Sequence, residues 1–232
     1  EAFSAEKWSN NPFNMERLNV REKLLAVSYQ VVPRLAQKTP VELEIVGSEA
    51  SPSIWNHRKV DSISVYCLRS EEERKRLNRI SEQRTIALNA VEQNIWHQHA
   101  ARVLSIKQSG IVVSFYINRA AWADFKNFHA ATREKWNRDT LLERIHALGQ
   151  DFEVIENADK KCDCATVNSE QLLQIANAMG IAGESLAFER FMERDAIVSM
   201  GPSFLEHFGE IWMNLCDVWS AIVWTRQNDH IG

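Results

Sequence analysis

No stretch of this 232-residue chain stays apolar for the roughly 18 to 20 residues that crossing a bilayer requires, so no membrane contact is expected. Glycine is scarce too. None of the 8 glycines falls in a GxGxxG or GxxxxGK phosphate loop, which removes the commonest nucleotide-site signatures. His-Glu-x-x-His, paired Cys-x-x-Cys and Gly-x-Ser-x-Gly are absent as well, so zinc-protease, zinc-ribbon and serine-hydrolase readings lose their motifs. A chain of this length buries about seven-tenths of its unfolded surface, so its core needs no disulfide staples. Of the four cysteines, Cys67 and Cys216 lie in apolar stretches, where a free thiol acts as a small hydrophobe. The first residues, Glu1 to Trp8, are polar and carry no signal-peptide apolar stretch. The chain opens on Glu rather than Met, so a cut end or a removed leader stays open. The expectation is reduced thiols, a soluble cytoplasmic protein and no cofactor.

What is present is an ordinary folding composition, 45% hydrophobic and 25% charged, which excludes disordered, collagen-like and fibrous chains. A single globular domain over residues 1–232 is expected. The net charge of −4 conceals a split: residues 151–232 hold 5 Lys+Arg against 14 Asp+Glu, leaving 22 against 17 for residues 1–150. A basic N-terminal portion of this kind suits nucleic acid or an acidic protein partner, and the two halves could also attract each other in self-association.

Hydrophobic periodicity places the elements. Asn14 can cap a helix carrying Leu18, Leu24, Leu25, Val31, Val32 and Leu35, with Pro33 expected to end or kink it. Strands are expected at Val41–Val46 and Val60–Leu68, on either side of a Ser/Pro-containing loop from Gly47 to Lys59. A helix follows from Ser70, its later part apolar through Ile86, Val91, Ile95 and Trp96. Val103–Ile106 and Ile111–Ile117 read as a hairpin, with Gly110 suited to a positive-φ turn position. Helices at Ala120–Lys135 and Thr140–Leu148, a short strand at Asp151–Glu156, a capping box at Asn168 and Gln171, and a strand at Leu186–Met192 complete the middle. The last helix has the strongest signal: Phe204, Phe208, Ile211, Leu215 and Trp219 form a continuous apolar stripe behind Pro202. Strands joined by hairpins, without regular βαβ alternation, give an α+β fold. A mostly antiparallel sheet is packed against helices, with a long C-terminal core helix.

The loop Ser51–Lys59 carries the most suggestive chemistry. Trp55 beside His57, Arg58 and Lys59 could stack on a base or ring while the cations hold phosphate. The bland alternative is that Trp55 anchors the loop and the cations are solvated. The cations from Arg69 to Arg84 are a weaker signal, because Glu71 reaches Lys75, Glu72 reaches Arg76 and Glu82 can meet Arg79 on a helix. His97/His99 and Cys162/Cys164 each offer two metal ligands where a structural zinc needs four. Asp61, Lys107, Asp151 and Glu153 would be the scattered acids and lysine of a metal nuclease, without a recognisable spacing. The preferred reading is therefore a non-enzymatic binding or assembly module contacting its partner through Trp55, His57, Arg58 and Lys59. The alternatives are a metal-dependent hydrolase or nuclease, and a structural subunit docking through its acidic C-terminal third.

Overall fold

A period of two along one strand sets the plan of the molecule. In Ser62–Arg69 (β2), Ile63, Val65 and Cys67 are wholly buried, whereas Tyr66, which points to the other face, is only half-buried. The computed structural model describes residues 3–4, 7, 9–54, 56–80, 96–118, 120–157, 160–182 and 185–231. Around β2 they build a sheet of seven strands in which every neighbouring pair is antiparallel. With Leu43–Gly47 (β1), Ala101–Lys107 (β3), Gly110–Ile117 (β4), Glu153–Asn157 (β5), Lys160–Asp163 (β6) and Leu186–Glu193 (β7), the order is β1-β2-β3-β4-β7-β5-β6. The last strand in sequence thus enters between β4 and β5. The fold is α+β, as the absence of βαβ alternation implied.

Gly110 is indispensable for a reason other than the expected positive φ. It lies at the start of β4 opposite Glu193, and a Cβ there would stand 2.1 Å from the Met192 carbonyl oxygen. Close backbone approach, not turn conformation, demands the glycine. The strand β6 escaped the sequence reading, which left Cys162 and Cys164 in a loop. Lys-Lys-Cys-Asp has no apolar alternation to detect, and the strand is held at the sheet edge by β5 alone.

Among the described residues the α-helices are Asn14–Lys38 (α1), Glu71–Ile80 (α2), Trp122–Arg133 (α3), Lys135–His146 (α4), Ser169–Ala182 (α5), Arg194–Met200 (α6) and Phe204–Ile222 (α7). The first runs straight through Pro33, which is exposed, so the missing amide hydrogen bond lies on the solvent side. Asn14 is the first helical residue rather than the cap, and its side chain accepts from Arg17 Nη1 at 3.0 Å. The capping box of α5 is realised in both directions. Asn168 Oδ1 accepts from the Gln171 amide, Gln171 Oε1 accepts from the Asn168 amide, and both bonds are 2.9 Å. Gly149, with φ +80°, closes the turn after α4.

Helices α1, α3, α4, α5 and α7 share one hydrophobic core with the Ile63/Val65/Cys67 face of the sheet. Phe208, Ile211, Leu215 and Trp219 of α7 lie at its centre, each buried, as the stripe required. Arg102 is buried with them, its guanidinium 4.7 Å from the Trp219 ring centroid and 3.3 Å from Thr39 Oγ1. Among the described residues, the opposite face of the sheet carries a small cluster, Leu68, Ala101 and Val103, with Val46, Tyr66, Trp96 and Tyr116 packed on it.

Candidate functional site

The loop from Ser48 to Asp61 joins β1 to β2 and is tied down at both shoulders. Ala50 and Val60 are buried, the Ser48 amide donates to the Ser64 carbonyl at 2.8 Å, and the Ser64 amide donates to Ser48 Oγ at 3.0 Å. Asn56 plugs its centre: Oδ1 accepts from the Ser53 amide at 2.8 Å and Nδ2 donates to the Ser51 carbonyl at 2.9 Å. The chain can close this tightly only by placing His57 at φ 54° and Arg58 at φ 59°. Two consecutive side-chain-bearing residues in the left-handed region cost about 1 to 2 kcal/mol each. His57, Arg58 and Lys59 stand exposed at the rim. Trp55 lies outside the described residues.

Between this loop and the Tyr66 face of the sheet lies a cleft of about 210 Å³. Lys59 lines it, together with Glu49, Asn56, Asp61 and the serines at 48, 62 and 64. The remaining wall is aromatic. Trp96 stacks on Tyr66 with ring centroids 5.1 Å apart and planes at 13°, and His97 meets Trp96 edge-on at 83°. Burial pushes the Tyr66 phenol up to about 12, so this platform is uncharged at neutral pH. Ser64 Oγ is spent on Ser105 Oγ at 2.6 Å, and Ser62 Oγ donates to Asp61 Oδ1 at 3.0 Å. Ser53 Oγ donates to the Glu49 carboxylate.

Of the expected contact residues, then, Lys59 lines the cleft, while His57 and Arg58 are exposed on the loop and are not among its lining residues. The sequence reading missed Tyr66, Trp96 and His97. Trp96 was assigned to the apolar face of a helix, but it sits in a turn with its ring on Tyr66. Ile86, Val91 and Ile95 of that expected helix lie outside the described residues. The half-buried position of Tyr66 between buried neighbours on β2 was the available signal.

The metal-ligand pairs do not meet. His97 and His99 precede β3, whereas Cys162 and Cys164 lie on and beside β6, four strand positions away and so about 19 Å across the sheet. Among the described residues no three His, Cys, Asp or Glu side chains gather to hold a metal, and all four cysteines are free thiols. The cations of the 69–84 run are largely spent internally. Lys75 pairs with Glu71 at 2.6 Å, as expected, but Arg76 takes Glu73 at 2.8 Å rather than Glu72, and Arg74 reaches Glu44 at 2.8 Å. Arg69 is buried against Asp124, with bonds of 3.0 and 2.8 Å to the two carboxylate oxygens. Glu82, the expected partner of Arg79, lies outside the described residues. No protein-family model matches this chain, and no curated protein matches it.

Proposed function

We propose that this chain is a binding module that captures a phosphate-bearing, ring-bearing ligand, single-stranded nucleic acid foremost, at the cleft beneath the β1–β2 loop. The observation that carries the reading is one juxtaposition. Two consecutive exposed cations, Arg58 and Lys59, follow the exposed His57 imidazole in the loop, and Lys59 lines a cleft whose wall includes the stacked Tyr66–Trp96 pair. Phosphate needs cations reachable from solvent, and a base needs a flat aromatic neighbour; stacking contributes about 1 to 3 kcal/mol per base. The cleft, at about 210 Å³, has room for one ring system and not for a folded nucleic-acid structure. An extended single strand fits that size, and a free nucleotide offers the same chemistry.

Fluorescence anisotropy with labelled single-stranded oligonucleotides, alongside a labelled mononucleotide, separates the two sources. Two phosphate contacts, from Arg58 and Lys59, give a log–log salt slope of about −1.4 for a single strand, and Arg58→Ala with Lys59→Ala should remove most of it. Preference for the mononucleotide would assign the module to a free metabolite. Absence of binding to both at low salt would refute the reading.

A further inference from the structure

Where β2 ends at Arg69, a second pocket opens, and we propose that it binds the phosphate group of a phosphate monoester. The pocket holds about 150 Å³ and is walled by residues 40–41 before β1, the end of β2, one side of α2 and residues 224–227 after α7. Its polar lining is rich in donors. Three guanidinium groups, those of Arg69, Arg76 and Arg226, line it with the Thr225 hydroxyl and the Gln227 amide. The carboxylate among its lining residues, Glu73, already accepts from Arg76 at 2.8 Å. Arg69 is 2% exposed and uses three N–H groups, two on Asp124 and one on the Trp224 carbonyl. A guanidinium carries about five, so this buried side chain keeps N–H groups to give. Thr225 Oγ1 accepts from the Asn228 amide at 3.0 Å, which leaves its own hydrogen to donate. Arg226 is exposed and makes no hydrogen bond or ion pair among the described residues. Asp124 balances Arg69 and Glu73 balances Arg76, so Arg226 stands without a counter-charge.

That arrangement fixes the chemistry of the ligand. An anion supplies the missing charge. Guanidinium groups arriving from β2, α2 and the segment after α7 suit oxygens spread tetrahedrally, more than the two coplanar oxygens of a carboxylate. Small-molecule sites begin at roughly 300 Å³, so a pocket this size admits a charged group and not a whole nucleotide. A phosphate monoester enters end-on, with its free oxygens inward and its one substituent trailing into solvent; a phosphodiester within a strand carries chain on both sides. The pocket shares no lining residue with the cleft beneath the β1–β2 loop, so neither reading depends on the other.

Titration calorimetry of the full chain with inorganic phosphate, beside acetate at matched ionic strength, tests this. Phosphate is expected to bind about tenfold more tightly than acetate, and Arg226→Ala and Arg76→Gln should each weaken it about tenfold, as loss of a charge-assisted bond does. Both side chains are exposed, and a thermal melt matching the unsubstituted protein checks that each variant is folded. Arg69 is left in place because it supports Asp124. An end-phosphorylated oligonucleotide and its unphosphorylated counterpart then read the source of the group. Tighter binding of the phosphorylated strand, lost in Arg226→Ala, assigns the pocket to a nucleic-acid end; equal binding assigns it to free phosphate or a small ester. No phosphate binding, acetate binding as tight as phosphate, or phosphate affinity that survives both variants overturns the inference. Phosphate affinity that falls with Arg58→Ala and Lys59→Ala instead overturns it while the reading of the cleft stands.

Discussion

Two groups of Arg, Asp and His residues in this molecule have opposite fates. At the end of the sheet near α3, Arg69 and Asp124 are 2% and 1% exposed, and Asp124 also accepts from the backbone amides of Ala100 at 2.9 Å and Trp224 at 3.0 Å. Arg69 donates in addition to the Trp224 carbonyl. Every strong bond there is made within the chain, and the result joins β2, the entry to β3, α3 and the segment after α7. At the β1–β2 loop, Glu49, Asp61, Arg58 and Lys59 are exposed, on a backbone held in an unfavourable conformation. Residue type does not separate architecture from binding capacity. What separates them is burial: the Arg69–Asp124 pair is enclosed, whereas the loop groups face solvent.

The comparison breaks most sharply at Asp124. Asp124→Asn leaves the Arg69 guanidinium buried without its counter-charge, and should cost about 3 to 5 kcal/mol in urea denaturation. Oligonucleotide affinity per folded molecule should stay unchanged, and weakened binding in the folded fraction would mean that the two regions are coupled.

Acid sharpens the contrast. Burial first, then the neighbouring Arg69 and Arg74 guanidinium groups, lower the His99 imidazole from 6.5 to about 4, against the opposing pull of Asp124. The unfolded chain therefore binds more protons than the folded one between those values, so stability falls as pH drops from about 6.5 to about 4. The full effect is roughly 3 kcal/mol. The loss continues at lower pH, because Arg69 and the surrounding hydrogen bonds hold Asp124 below its ordinary range, although burial alone would raise it. Urea midpoints measured across this range should show the decline, and His99→Gln should flatten it above about pH 4. A slope unchanged in that variant would place the proton uptake elsewhere.

The smallest effect has the opposite sign. Arg58→Gly removes a side chain from a residue at φ 59° and should raise stability by about 1 kcal/mol while weakening oligonucleotide binding. A loss of stability would show that Arg58 is consumed in the fold as Arg69 is.

The sequence alone determined the class of the fold, the burial of α7 and the α5 capping box. Each follows from local periodicity or a reciprocal side-chain bond within a few residues. Phe208 through Trp219 had to share a face because four-and-three spacing leaves no other place for them. Only the tertiary structure decided that Gly110 is needed for a backbone 82 residues away, that Lys160–Asp163 form β6, and that Arg69 and Asp124 meet. The same holds for the site. The loop cations were legible as a run, but the platform opposite them joins Tyr66 of β2 to Trp96 of a turn before β3, and the carboxylates come from both shoulders of the loop. Such pairings depend on strand register and on which face of the sheet each side chain takes. Those are set by the packing of the whole chain, and no short window of sequence contains them.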